Sequence, residues 1–234
     1  MPDNNNKDYP DETRLAPCCS SDPAAHLGPS FEGAYIGLYT GYSWAKDEGT
    51  SYAQGLDVKT GWTQETNPKS AQYGALAGYN WTLADRWLVG VEADYDGRGG
   101  ESDSNDQELN GTSSPLFSGT SGINASGSLR ARAGYMPSND LLLFVTGGYA
   151  YAKVEREWQT NFPTAASESS SNGQGGWTAG LGAEYLLSDS FSARLEYRYA
   201  DYGTQEDLPV EMWNEKFNHR LTEQSVRLGA AYHF

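Results

Sequence analysis

Glu92 and Asp94 stand two residues apart, as do Arg130 and Arg132, and Arg194, Glu196 and Arg198 form a longer run of alternate positions; Glu184 and Arg227 sit in similar surroundings. A spacing of two puts side chains on one face of an extended strand. Four carboxylates and five arginines on such faces are close to balance. Taken out of water, unpaired charges cost several kcal/mol each, so this set implies ion pairing inside an enclosed space. Two kinds of behaviour follow. One is a fixed network that fills an interior; the other is a gate, in which Arg198 or Arg227 changes partner to open a narrow path.

Such an interior has to be walled by strands, and the alternation supplies eight. The first, about 33–46, sets Ile36, Leu38, Tyr42 and Trp44 against Tyr35, Gly37, Tyr39, Gly41 and Ser43. The second sets Ala71, Tyr73, Ala75, Ala77, Tyr79 and Trp81 against Gln72, Gly74, Leu76, Gly78 and Asn80, and the third sets Trp87, Val89, Val91, Ala93 and Tyr95 against Leu88, Gly90, Glu92, Asp94 and Asp96. In the fourth, about 121–135, Ile123, Ala125, Leu129, Ala131, Ala133 and Tyr135 oppose Asn124, Ser126, Ser128, Arg130, Arg132 and Gly134. The fifth, about 141–153, carries Leu141, Leu143, Val145, Tyr149 and Tyr151 outward. The sixth carries Trp177, Ala179, Leu181, Ala183 and Tyr185 outward with Glu184 inward, and the seventh carries Phe191, Ala193, Leu195, Tyr197 and Tyr199 outward. The last strand ends the chain, with Val226, Leu228, Ala230, Tyr232 and Phe234 on its apolar face. An uncapped apolar strand leaves a sticky edge, which closure of first strand on last removes.

The connections alternate. Polar stretches at 46–70, 97–119, 154–174 and 203–219 are long, while Thr82–Arg86, Met136–Asp140 and Leu186–Ser190 are short. Outward aromatics fall in two rows: Trp81, Trp87, Tyr135, Tyr185, Phe191 and Phe234 near the short turns, and Trp44, Tyr73, Tyr95, Trp177 and Tyr199 further along. The eight residues between paired members, rising about 3.3 Å each and tilted about 40°, span roughly 20 Å, close to the apolar band of a membrane barrel. No apolar run approaches a spanning helix, so a membrane reading requires a barrel. The expected fold is therefore an all-β, eight-stranded, antiparallel up-and-down transmembrane barrel over residues 31–234, preceded by a flexible extension, 1–30, rich in Pro, Asp, Asn and Ser. The expectation for an eight-stranded interior is that side chains fill it. Glu92 and Asp94 then neighbour Arg130 and Arg132, and Glu184 stands opposite Arg194.

The span from about residue 33 to 234 resembles the eight-stranded porin-family outer-membrane proteins of Gram-negative bacteria, of the OmpA-barrel and small surface-antigen type. The resemblance is carried by G-A-Y-I-G-L-Y-T-G-Y, T-G-G-Y-A-Y, F-S-A-R-L-E-Y-R-Y and the final R-L-G-A-A-Y-H-F. It implies an outer-membrane location with long loops outside the cell and both termini in the periplasm. It also implies contact with outer-membrane lipid and lipopolysaccharide, and recognition of the carboxy-terminal strand, ending in Phe234, by the barrel-assembly machinery. An exported chain needs a signal peptide and none is visible, so Met1 is read as the start of a mature numbering or as a miscalled start, and an apolar segment upstream of it would settle export.

Other chemistry is thinly supported. A formal net charge of -15 argues against nucleic acid as a partner. Cys18 and Cys19 are adjacent, which strains a disulfide, and lack further thiols or His for a metal. Leu15-Ala16-Pro17-Cys18 resembles a lipoprotein cleavage box, but polar residues precede it. Glu101, Asp103, Asn105, Asp106 and Glu108 depart from an EF-hand pattern and read as a solvated acidic loop. No cofactor, metal or catalytic set is expected: His219 is followed by Arg220 and Leu221 where lipid A deacylases carry a His-x-Ser pair, and His233 belongs at the turn end of the interior. The expected role is structural support of the envelope with at most weak porin activity. The alternatives are a surface receptor or adhesin using Trp62, Trp158, Phe162, Trp213 and Phe217 as loop anchors, and a narrow small-solute channel.

Overall fold

The structure, a computed structural model, describes residues 31–53, 58–84, 86–101, 103–160, 165–207 and 215–234. Alternation of apolar and small or polar residues produces strands throughout: β1 (Gly33–Ala53), β2 (Lys59–Thr66), β3 (Lys69–Ala84), β4 (Trp87–Glu101), β5 (Asp103–Leu109), β6 (Thr112–Ser138), β7 (Leu141–Thr160), β8 (Ala166–Leu186), β9 (Phe191–Asp207) and β10 (Glu215–His233). Eight of them, β1, β3, β4, β6, β7, β8, β9 and β10, form an antiparallel ring closed by pairing of β10 with β1. The seam is continuous from Tyr35↔His233 to Ala53↔Glu215, so the apolar last strand has no free edge there.

The stretches expected as polar loops are largely strand. β1 runs seven residues past Lys46, β6 begins at Thr112, and β7 and β8 pair up to Thr160↔Ala166. A tilted strand crosses a bilayer in about 9–11 residues, whereas β6 has 27 and β7 has 20. The barrel therefore projects well beyond the far row of aromatics. In that part the outward face is polar and the inward face mixes apolar Val154 and Trp158 with charged Arg156, which removes the apolar outer stripe that marks a membrane strand.

β2 and β5 belong to the same wall. β2 pairs with β1 in the register that β3 uses, Asp47↔Thr66 following Trp44↔Lys69, with the break at Asn67-Pro68. Proline has no N–H for the ladder, but its carbonyl still accepts from the Ala45 N–H at 2.9 Å. β5 likewise continues β4 and pairs with β6, and its hairpin turns at Asn110-Gly111, both at positive φ (50° and 80°). Asn-Gly is the dipeptide that tolerates such a two-residue turn.

Facing follows the expected parity with one exception. Tyr73, Trp81, Trp87, Tyr95, Trp177, Tyr185, Phe191 and Phe234 are exposed, and Trp44, Tyr135 and Tyr199 are partly so on the same outer face. Neighbouring rings touch along both rows: Trp87 and Tyr135 lie 5.0 Å apart, Trp177 and Tyr199 5.3 Å. The exception is one bulge, where Ile123, expected outward, is only 5% exposed and Asn124, expected inward, is exposed. A bulge between Ile123 and Ala125 inserts Asn124, and an extra residue reverses facing beyond it.

Candidate functional site: the filled lumen

Inside the ring the side chains form layers. At the short-turn end Phe31, Leu88, Leu142, Phe144 and Leu186 pack together, with Met136 against them. Phe31 is anchored by its carbonyl, which accepts a 2.8 Å bond from the buried Asn80 amide. The charged residues fill the middle. Beyond them Ala45, Ile123, Ala150, Ala152, Val154, Ala200, Tyr202 and Leu221 form a second apolar layer.

In the charged layer Arg130 bonds Glu92 at 2.5 Å, lies 3.0 Å from Asp94, and also pairs with Glu196. Arg194 bonds Glu92 at 2.6 Å and Glu196 at 3.2 Å. Asp94 takes Arg198 and Arg227, each at 3.3 Å, and Arg227 reaches Asp96 at 3.1 Å. Glu184 and Arg194 are register partners, as expected. Even so, Glu184 pairs with Arg132 of β6, one strand beyond β7, and accepts from Ser192 at 2.6 Å, with His233 Nε2 3.1 Å from it, while Arg194 reaches across the lumen to Glu92. The eight-stranded ring is narrow enough for two long side chains to meet across it, so partners are chosen across the lumen as well as along the wall. All nine charged residues named from the sequence face inward and are buried.

Small residues make the room. Arg130 stands opposite Gly148 on β7, and Arg198 and Glu196 stand opposite Gly180 and Gly182 on β8. Tyr35 lies opposite Gly78, where a Cβ would collide with its ring, and from that position its hydroxyl donates to Glu92 at 2.8 Å. Arg132 stacks 4.1 Å over the Phe144 ring, joining the charged layer to the apolar layer beneath it.

Sequence reasoning missed the part of this interior that lies beyond the far aromatic row. Arg98 binds Glu223 and Asp96, and Tyr202 donates to Glu223 at 2.9 Å. Higher still, Asp47 accepts from Arg156 at 2.9 Å and Ser121 at 2.8 Å, and lies 3.2 Å from His219. Burial by itself would raise the Asp47 carboxyl, but its interactions with the His219 ring and the Arg156 guanidinium outweigh it and hold the group well below the usual carboxylate range. Asp47, Arg98, Arg156 and His219 lay in stretches expected to be loops, whereas Asp96 and Ser121 lay in expected strands; the signal available in the loops was the same spacing of two, in Asp47/Gly49/Ser51 and Val154/Arg156/Trp158.

Among the described residues the inward charges balance. Asp47, Glu92, Asp94, Asp96, Glu184, Glu196 and Glu223 are matched by Arg98, Arg130, Arg132, Arg156, Arg194, Arg198 and Arg227. The excess negative charge of the described residues therefore lies outside this buried set. The expected loop anchors fare differently. Trp158 is 4% exposed and packs 6.3 Å from the His219 ring, so it is no surface anchor; the strand extension turns it inward. Trp62 is half-buried in β2. Phe162, Trp213 and the extension 1–30 lie outside the described residues, as does the side chain of Phe217.

Comparison with known proteins agrees with this architecture. Residues 15–234 match the model of the outer membrane protein beta-barrel domain. The chain is 29% identical over 221 residues to the 31 kDa outer-membrane immunogenic protein of Brucella melitensis, covering 88% of this chain and 84% of that one. It is also 29% identical over 205 residues to the 25 kDa outer-membrane immunogenic protein of Brucella abortus, covering 88% and 80%. Among solved structures, the outer membrane protein OprG of Pseudomonas aeruginosa superposes with a TM-score of 0.56 at 15% identity, over 89% of this chain and 99% of that one, a likeness of fold. With a closed eight-stranded ring, lipid-facing aromatic rows and a family match over nearly its whole length, the chain belongs to the outer membrane protein beta-barrel domain family and resides in the outer membrane.

Proposed function

We propose that this protein is a structural component of the outer membrane whose lumen is closed to solutes. The reading rests on one observation above the others: an electroneutral, cross-bonded charged layer lies between two apolar layers. A path for ions would require several of these bonds to break together, each leaving a buried charge unpaired at a cost of several kcal/mol. Planar-bilayer recording of the purified chain tests it. Traces without steps above background are expected, and stable unitary steps would overturn the closed-lumen reading.

The proposed orientation puts the short turns and both termini in the periplasm and the projecting wall outside, toward lipopolysaccharide. The support is the contrast between short turns at one end and long hairpins at the other. An impermeant thiol reagent applied to intact cells should label Ser113→Cys, on the β5–β6 hairpin, and spare Asp189→Cys; the reverse pattern inverts the orientation. Phe234, 73% exposed at the end of the seam strand, is proposed as the mark read by the assembly machinery. Its deletion should slow insertion into the membrane without altering the fold of the molecules that do insert.

A further inference from the structure

Outward charges on two of the projecting strands are sorted by height. On β1 the outer face reads Trp44, Lys46, Glu48, and on β7 it reads Tyr151, Lys153, Glu155, in each case stepping away from the short turns. Two residues of a strand tilted about 40° rise about 5 Å. A cation therefore follows the outward aromatic by one step, and an acid follows the cation by another. Aromatic rows of membrane proteins sit at headgroup level, so the cationic step falls where lipid phosphates lie.

At one place on the wall two of these cations converge. Trp44, Lys46, Lys69, Thr222 and Gln224 border a depression of about 560 Å³ in the outer face of β10, β1 and β3. Register brings them together: Trp44 has Lys69 on one side and Gln224 on the other, and Lys46 stands opposite Thr222. Lys69 makes no ion pair among the described residues. Lys46 lies 2.7 Å from Glu48 and 3.4 Å from Glu65, but its side chain is 45% exposed and an ammonium carries three donors, so at least one is left. Tyr197 donates to Gln224 Oε1 at 2.8 Å, which leaves the amide NH2 of Gln224 as a donor. The carboxylate of Glu223, beneath the floor, is turned to the lumen and held there by Arg98 and Tyr202. What the depression offers a ligand is thus a set of donors, two of them cationic.

Toward the short turns the same three strands, with β4, carry a shallow apolar trough of about 800 Å³ floored by Ala75, Ala77, Ala93 and Ala230. It lies in the lipid-facing band. Cationic donors at headgroup level and an apolar trough below them match the two parts of a phosphorylated lipid, whereas a free phosphate would use only the first.

We infer that the depression between Lys46 and Lys69 is a binding site for a phosphate of the lipid anchor of lipopolysaccharide, with an acyl chain of the same lipid in the trough. Charge-assisted bonds from the two ammonium groups hold the phosphate. The choice of lipopolysaccharide over phospholipid rests on the proposed orientation, which thiol labelling tests separately.

The test is native mass spectrometry of the full chain in detergent micelles, titrated with bisphosphorylated lipid A. Saturable binding of one lipid per chain is expected, weakened roughly tenfold or more for phosphate-free lipid A. The double variant Lys46→Gln/Lys69→Gln, checked for an unchanged melt, should bind the two lipids alike. The variant Lys59→Gln/Arg86→Gln, which loses the same charge away from the depression, should keep the preference. Equal binding of phosphate-free lipid A, or an equal loss in the second variant, would overturn the inference by reducing it to apolar contact or to overall charge. Phosphatidylglycerol binding as tightly as lipid A would overturn the assignment to lipopolysaccharide, and displacement by millimolar inorganic phosphate would overturn the assignment to a lipid.

Discussion

Arg130 and Glu92 face each other across the β4–β6 ladder and bond at 2.5 Å, while the other terminal nitrogen of the same guanidinium crosses the lumen to Glu196 on β9. One side chain thus ties three strands of the ring. Losing it leaves Glu92, Asp94 and Glu196 facing a cation deficit in a buried space.

Arg130→Met should therefore destabilise the barrel by about 3–5 kcal/mol, the range for breaking a buried pair from one side. Urea unfolding in lipid vesicles measures this. Adding Glu196→Gln should recover part of the loss, because one of the stranded charges is then removed. Additive losses in the double variant would show that the two residues are not coupled.

Gly78 makes room for Tyr35. A Cβ there meets the Tyr35 ring and lies 2.7 Å from the Val91 carbonyl, so Gly78→Val should push the ring away from Glu92 and cost about 1–3 kcal/mol through overpacking. The companion Tyr35→Phe, which loses only the 2.8 Å hydroxyl bond, should cost less, about 1–2 kcal/mol. If Tyr35→Phe proves the more damaging, the fit of ring on glycine is not what the position supplies.

Val145 faces lipid between the two aromatic rows, opposite Ala133 and Leu181. Val145→Arg should cost about 2–4 kcal/mol in a bilayer, the range for a cation near the midplane of a barrel's outer face. The adjacent inward Thr146 contacts Arg130, so Thr146→Val should instead perturb the ion network, read as altered urea stability without a change in lipid dependence.

Asp47 gives the projecting part a pH dependence of defined sign. Its carboxyl is held below the usual value, so in acid the unfolded chain takes up this proton before the folded one does. The stabilisation is complete above the ordinary Asp value of about 3.9 and declines as the pH falls below it. Amide exchange of the β7 and β10 segments around Arg156 and His219, followed across that window and referred to the intrinsic rate at each pH, should show protection falling in acid. Asp47→Asn should be looser at neutral pH and should lack that acid-dependent component; an unchanged profile in this variant would remove Asp47 from the explanation.

The sequence by itself determined the eight membrane strands, their facing and the identity of the buried central charges. Lipid outside and a crowded, polar inside impose opposite demands on successive residues, and that contrast is written at a period of two from Tyr35 to Tyr42 and from Trp87 to Asp96. Tertiary structure alone decided the rest. Above the far aromatic row, water replaces lipid and the contrast disappears, so the continuation of β1, β6 and β7, the inward turn of Trp158, and the Asp47–Arg156–His219 cluster had no hydropathy signal. The bulge that turns Ile123 inward left none either. Partner choice was equally hidden: Arg194 stands beside Glu184 in register, yet bonds Glu92 on the opposite wall, because closing eight strands into a ring brings opposite walls within reach of two long side chains, while Glu184 pairs with Arg132 from beyond the intervening β7.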